Sequence, residues 1–546
     1  MIPALRQCFF GLAFLCVAAA FAAEPAARWN ILLVFADDWG RYAGCYAGID
    51  RDNRLGATLS GIVRTPHIDR VAREGVLFRN AFVSAPSCTP SRGALFTGRH
   101  FFNTGRSAIL DTGAWEPSLP AYPPLLRDAG YHIGRTHKAW APGTPRDAPF
   151  DGNRHAYEKA GLEADRFSRN VTERVEKGAS IAEARAAILA QVRKNFSDFL
   201  AARPAGSPWH YFSGISTTHR TWIRDSGRHI WGIDPDALRG KLPAFLPDVP
   251  DVRGDLADYL GEVQALDSVV GELLALLAES GEGGRTLVVL TGDNGIPGFP
   301  RAKGELYDHG VATPLVMRVP GGAPGRVVDD FVSLIDLAPT FTAIAGAAPL
   351  ANCAGRVLLP QLLAPTGGQI EAGRTSVIVG CERHGAPYPK RAIRTRDFLY
   401  IRNFAPDRWP VGAPGPEPQS PVLNDLGLAG GRGDYRREFA ATEKIGFAAM
   451  DFGPTTAWFV RHFDDPAHRR VMEWAFAKRP AQELYDLRHD PDQLHNVAEE
   501  PAHAATKSDL SARLMQALTA ALDPRVVEQP CRFDLPPYAP GAAKSP

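Results

Sequence analysis

Short apolar runs recur along the chain, and most of them stop at a cluster of polar residues. Residues 30–35 (NILLVF) and 286–290 (TLVVL) are continuous rather than alternating. That is the pattern of strands buried on both faces of a mostly parallel sheet. Residues 76–83, 131–135, 209–215 and 314–318 read as further strands, and 375–380 as a strand-like run. Helices lie between them, over 64–75, 119–130, 181–200 and 255–278. In the last of these, Leu256, Leu260, Val263, Leu266, Val270, Leu273 and Leu277 form one stripe. Another helix falls within 329–345. Residues 391–403 (RAIRTRDFLYIRN) then alternate with period two, which predicts antiparallel strands, before a last strand at 482–487 and a last helix at 507–522. Residues 141–180, 221–250 and 404–436 read as loops, the second as a substrate-facing insertion. The pattern predicts an α/β fold with a smaller C-terminal α+β domain, divided as 24–385 and 386–546.

The polar clusters carry the candidate chemistry. In open α/β sheets, ligand sites collect beyond the carboxyl ends of strands. Asp37 and Asp38 follow the first strand, and Asp293 and Asn294 follow the strand at 286–290. Adjacent carboxylates repel unless a cation neutralises them, and four oxygen donors suit Ca²⁺ or Mg²⁺ better than Zn²⁺. An N-cap pair and an Asx turn would use the same residues. Lys138 and His219 fall just past strand ends, and Lys303 lies on the loop that leaves Asp293. A solvated lysine and a structural histidine are the plainer accounts of the first two. Glu382, Arg383 and His384 close the 375–380 run, either as a binding cluster or as a salt-bridged domain seam.

Composition narrows the class. The chain has 546 residues, 45% of them hydrophobic and 22% charged, with a formal net charge of +1, so no global field recruits nucleic acid or a membrane surface. Residues 1–23 read as a signal peptide, with Arg6, an apolar core and small residues at 20–23. No later run is long and apolar enough to span a bilayer. Together these predict an exported protein, periplasmic or secreted, or lysosomal in a eukaryote. Removing Cys8 and Cys16 with that leader leaves five cysteines, an odd number that flags one unpaired or modified thiol. The other four would allow two disulfides.

The stretch Ser87-Cys88-Thr89-Pro90-Ser91-Arg92, followed by Gly93-Ala94-Leu95-Phe96-Thr97-Gly98, places a cysteine at a helix start. Backbone N–H groups there would stabilise an oxyanion, and Arg92 adds a planar cation. Alone, Cys-x-Pro-x-Arg equally describes a buried structural cysteine. With Thr97-Gly98-Arg99 after it, the run resembles the signature of type I sulfatases. The resemblance implies an alkaline-phosphatase-like fold, a large mixed sheet sandwiched by helices plus a smaller domain with a short antiparallel sheet. It implies that Cys88 is oxidised to formylglycine by dedicated machinery. It further implies that Asp37, Asp38, Asp293 and Asn294 hold a divalent cation, usually Ca²⁺, together with residue 88. Arg92 would steady the hydrated aldehyde. Lys138 and Lys303 would bind sulfate, and His219 would contact the sulfate or protonate the leaving group.

One position departs from the family pattern. A histidine commonly follows the lysine by two residues, and here that place is Trp140, which leaves His137 and His309 as alternatives. The run from Asp293 to Lys303 and the Arg169-Asn170-Val171-Thr172 segment are similar to those of heparan N-sulfatases. That implies an N-sulfoglucosamine substrate, with Glu382, Arg383 and His384 meeting the sugar. An O-sulfatase on another glycan and a phosphonate or phosphodiester hydrolase would share the core residues. A non-enzymatic glycan-binding protein is disfavoured by the complete metal set.

Overall fold

The computed structural model describes residues 28–49, 57–110, 112–412, 447 and 449–539, so the leader at 1–23 lies outside the described residues. The six predicted apolar strands join a seventh in one mixed sheet, ordered β3-β4-β1-β5-β6-β2-β7. They are β1 (Asn30–Ala36), β2 (Val76–Phe82), β3 (His132–His137), β4 (Trp209–Gly214), β5 (Thr286–Gly292), β6 (Leu315–Arg318) and β7 (Arg326–Ser333). β1 lies inside the sheet, parallel to β4 on one side and to the middle strand β5 on the other, while β6 runs antiparallel to β5 and β2.

Period-two alternation explains why the strands had to be apolar throughout. Leu32, Val34 and Ala36 of β1 face a core that includes the helices Ile181–Ala202 and Pro250–Glu279. Ile31, Leu33 and Phe35 face the opposite core, with Leu95, Phe96, Leu126 and Phe341 from helices Cys88–Thr97, Tyr122–Asp128 and Leu337–Ala345. Each face therefore needs its own helical layer.

The second sheet is antiparallel, ordered β11-β10-β9-β8, from β8 (Ser376–His384), β9 (Ala386–Thr395), β10 (Phe398–Asn403) and β11 (Gln482–Asp486). Leu510, Leu514 and Leu518 of the helix Ala504–Ala520 cover it, against Ile393, Tyr400 and Leu484. β8 brings the small sheet in before residue 386, where the sequence pattern placed the domain boundary.

Among the elements hidden in the sequence, two adjoin the large sheet or its predicted loops. β7 (RVVDDFVS) carries two acids that break its apolar reading. Asp330 is nonetheless buried, because Gln361, Gln369 and the N–H groups of Ile370 and Glu371 donate to its carboxylate. The helix Phe167–Glu176 lies within the predicted 141–180 loop; it buries only Phe167, Ser168 and Val171, too narrow an apolar face to show among its charges. The two disulfides that the cysteine count would allow are not formed: no S–S bond joins Cys45, Cys88, Cys353, Cys381 or Cys531 among the described residues.

The loop after β4 is tied to the long helix through a buried acid. Thr217 Oγ1 donates to Glu262 Oε2 at 2.5 Å. Burial pushes the Glu262 carboxyl up to about 7, with hydrogen bonds from Thr217 and Ser168 opposing it. A folded-state value above the unfolded one means the folded chain keeps a proton that the unfolded chain has released. The contribution is therefore intact at and below pH about 4.5 and is lost as pH rises through 7. Urea unfolding at pH 5 and 7.5 should show wild-type stability falling, and Glu262→Gln should remove about 2 kcal/mol of that fall. Asp267, also raised to about 7 by burial, contributes equally to both proteins. Equal slopes in the two would refute the assignment.

Candidate active site

The register of β1 on β5 pairs Ala36 with Gly292, so the acids that follow each strand emerge side by side. Gly292 is required there, because a Cβ would lie 2.1 Å from the Trp39 carbonyl oxygen. Asp38 takes a left-handed backbone (φ 59°), which turns its N–H to donate to Asp293 Oδ1 at 2.8 Å. Cys88 opens the helix Cys88–Thr97, directly after its N-cap Ser87. Its Sγ lies 3.4 Å from Asp37 Oδ1, 3.7 Å from Asp38 Oδ1 and 3.9 Å from Asn294 Nδ2. Donor atoms of Asp37, Asp38, Cys88 and Asp293 all fall within 4.8 Å of one another, and all four residues are buried. Residues from both ends of a long span of chain thus converge.

Three cations answer the three acids. Arg92 Nε reaches Asp293 Oδ2 at 2.7 Å, and its other arm reaches Asp37 Oδ1 at 3.4 Å. Lys138 Nζ sits 2.7 Å from Asp37, and Lys303 Nζ 2.8 Å from Asp38 Oδ2. Lys138 is delivered by the β3–β4 pairing; its N–H donates to Gly214, where a Cβ would strike the Lys138 carbonyl oxygen at 1.7 Å. Burial raises the Asp37 carboxyl, but Lys138, His219, Arg92 and Lys303 outweigh it and hold it well below the usual range. Asp293 is pushed by burial to about 6 against the pull of Arg92, with the charge of Asp37 adding to the rise. Burial and then Asp37 push the Cys88 thiol far up, so an unmodified cysteine here stays protonated.

His219 Nδ1 sits 2.5 Å from the Arg220 carbonyl, which assigns its proton to that nitrogen and leaves Nε2 facing the cluster, 3.8 Å from Asp38 Oδ2. A divalent cation fits the donor set. The oxygens of Asp37, Asp38 and Asp293 crowd one point, and the buried Asn294 Oδ1 beside them accepts no hydrogen bond.

Residues 29–347 match the sulfatase family profile. The chain belongs to the sulfatase family. Members generally use formylglycine and a divalent metal, and cleave sulfate esters or sulfamates. This sulfatase is 28% identical to human N-sulphoglucosamine sulphohydrolase over 517 residues, covering 87% of each chain. It is 24% identical to an ulvan-active sulfatase of Formosa agariphila over 514 residues, 91% of this chain and 76% of that one. Its fold is shared by BT4656 in complex with D-glucosamine-2-N,6-O-disulfate, at a TM-score of 0.56 and 17% identity over 92% of this chain and all of that one. The phosphonate monoester hydrolase of Agrobacterium radiobacter shares it too, at 0.54 and 18% identity over 90% and 96% of the two chains.

The sulfatase site differs from the sequence expectation around its rim. Trp140 is fully buried, edge-on to Trp115, and is part of the core. His137 Nδ1 lies 3.0 Å from Asp165, and His309 packs on Phe245 beside the Tyr42 hydroxyl, so neither joins the cluster. His384 does approach it, its Nδ1 2.8 Å from the Ser87 hydroxyl that precedes Cys88. Arg383 is half-buried and ladder-paired with Pro387. Glu382 makes the ion pairs of the seam alternative: Arg391 takes Oε1 and Arg525 takes Oε2, each at 2.6 Å. The sequence reading missed Asp451, whose Oδ2 pairs with Lys303 at 3.0 Å. Its run Met450-Asp451-Phe452-Gly453 follows no apolar strand and gave no signal.

Two outcomes follow from this geometry. Calcium should raise the melting temperature of the wild type by a few degrees, with a chelator reversing it, and Asp38→Asn with Asp293→Asn should lose the response. Calcium-insensitive melting of the wild type would contradict the cation assignment. Separately, Glu382→Gln should lower stability by about 3 kcal/mol, because it removes the carboxylate shared by Arg391 and Arg525 and leaves Arg391 with Asp523 and Arg525 with Asp534, yet keep kcat/KM within about threefold. A selective loss of kcat/KM at unchanged stability would return Glu382 to the sugar.

Proposed function

We propose that this sulfatase hydrolyses the N-sulfate of a glucosamine residue from a heparan- or heparin-type glycan. Cys88 is oxidised to formylglycine and Ca²⁺, or Mg²⁺ in its place, is held by Asp37, Asp38, Asp293 and Asn294. The observation that carries the reading is the buried convergence of Cys88 with three carboxylates and two lysines. The human relative, matched along 87% of both chains, supports the sulfamate over other sulfated sugars.

The oxidised side chain supplies a hydrated aldehyde as nucleophile, and the metal supplies charge to the sulfuryl oxygens. This chain's own residues do the rest. Lys138 and Lys303 grip sulfuryl oxygens, which makes the reacting group more electrophilic as negative charge builds. Arg92, buried between Asp37 and Asp293, fixes the acids and the side chain of residue 88 in one geometry. His219, with its Nδ1–H held by the Arg220 carbonyl, turns Nε2 toward the leaving atom, where the doubly protonated ring would donate a proton. A protonated thiol at Cys88 would be a weak nucleophile, which accounts for the need to oxidise it. Among the described residues no helix is long and apolar enough to cross a membrane. The basic and apolar leader fits export to the periplasm or outside the cell, or to a lysosome in a eukaryote.

The test is sulfate release across a panel of N-sulfoglucosamine, 6-O-sulfated glucosamine, 4-nitrophenyl sulfate and a phosphonate monoester. The N-sulfated sugar should lead in kcat/KM by about 100-fold. Cys88→Ala and Cys88→Ser should each lose activity by about 10⁴-fold, and the wild-type Cys88 peptide should react with a hydrazide. Preferred turnover of an O-sulfate or of the phosphonate would replace the substrate assignment.

A further inference from the structure

The acid that the sequence did not reveal has a position suited to one half of this reaction. Lys303 Nζ bridges Asp38 Oδ2 at 2.8 Å and Asp451 Oδ2 at 3.0 Å, so the Asp451 carboxylate stands one ammonium away from the acid cluster. It lies on the open side. The Asp451 side chain keeps 22% of its surface exposed and that of His219 35%, against 4% for Lys303 and none for Asp38 or Asp293. An in-line displacement sends the leaving atom away from residue 88, and Asp451 and His219 are the partly exposed groups beside the cluster that could meet it. His219, Lys303 and His384 are the charged or titratable groups that face Asp451.

The two bond classes a sulfatase can cleave differ in what leaves. Sulfate-ester hydrolysis breaks an S–O bond and releases a neutral alcohol, sulfate and a proton. Sulfamate hydrolysis breaks the S–N bond; the nitrogen takes up both protons of the consumed water, and the products are an ammonium and sulfate. Only the second builds positive charge on the leaving atom. A carboxylate at the rim stabilises that charge and is of little use to an alcohol.

We propose that Asp451 receives the amine released from an N-sulfated sugar and thereby sets the preference of this site for sulfamates over sulfate esters. The inference rests on the N-sulfoglucosamine reading above and names the residue that enforces it. Asp451 contacts the departing nitrogen, whereas Lys303 beside it holds the sulfuryl end common to every substrate. The carboxylate reaches the site from the segment ahead of the helix Pro454–Arg461, where the Thr456 hydroxyl holds the Asp451 carbonyl at 3.0 Å.

Asp451→Asn keeps the shape and removes the charge. It should lower kcat/KM for N-sulfoglucosamine by about 100-fold while changing that for 4-nitrophenyl sulfate by less than about threefold. Glucosamine should inhibit 4-nitrophenyl sulfate turnover by the wild type, and the variant should lose that inhibition, whereas N-acetylglucosamine should not distinguish the two proteins. Equal losses on both substrates would show that Asp451 only positions Lys303, and unchanged kinetics would remove it from the site; either result overturns the inference. A wild type that is active on the aryl sulfate but inert toward N-sulfoglucosamine overturns the substrate reading itself and the inference with it.

Discussion

Three carboxylates buried at one point are the constraint that the rest of this structure serves. Asp37, Asp38 and Asp293 are at most 1% exposed, so water does not screen their repulsion. Charges in such a place persist only when paired and hydrogen-bonded. The pairing is one cation to each acid, Lys138 to Asp37, Lys303 to Asp38 and Arg92 to Asp293. Arg92 is the most costly to bury, having no exposed surface, and it ties two acids while its remaining arm donates to the carbonyls of Lys138 and Ala139. The fold supplies the geometry: parallel β1 and β5 bring the acids together, β3 and β4 bring Lys138 and His219, and the helix after β2 brings Cys88.

That half of the site was legible in the sequence because parallel strands buried on both faces must be apolar along their length. Their ends are then marked by the first polar residues, which is where ligands gather. Asp37, Asp38, Lys138, His219, Asp293 and Asn294 could each be placed by finding the end of a run such as NILLVF or TLVVL. The same rule failed at residues 381–384. There the polar residues lie inside β8, whose antiparallel partner β9 gives them ladder and ion-pair neighbours instead of a crevice. Glu382 looked like a strand-end acid but answers Arg391 and Arg525, a pairing set by contacts of Arg391 with Asp523 far along the chain. Asp451 escaped for the opposite reason. It stands on an irregular segment, and only the tertiary approach to Lys303 gives it meaning.

The division between legible and hidden residues follows the division of labour. In the proposed reaction the large sheet contributes the groups that meet the sulfuryl end. The second sheet and the segment before Pro454–Arg461 contribute His384 and Asp451. In the same proposal the leaving group faces the second set, so the chain's later portion is where substrate preference would change without disturbing the acid cluster. Gly304 marks how closely the two parts meet: its φ of 88° favours glycine, and a Cβ there would sit 3.1 Å from the His384 ring.

The replacement of the usual histidine by Trp140 then bears on which group can hand over a proton. Trp140 offers only an indole N–H, and that N–H faces the helix backbone near Gly93, without a hydrogen-bond partner. His384 stands closest among the alternatives, but burial and then Lys303 push it down to about 3. It is therefore neutral near pH 7, and its Nδ1 is engaged with the Ser87 hydroxyl, which suits it to hold the turn before Cys88 and not to act as an acid. His137 and His309 are committed to Asp165 and to Tyr42. His219 alone of these four combines an open Nε2, a side chain 35% exposed and two neighbouring acids, Asp38 and Asp451. With Asp451 placed to receive the amine, proton donor and charge acceptor stand together at the exit from the site, and the position held by Trp140 is free to be core.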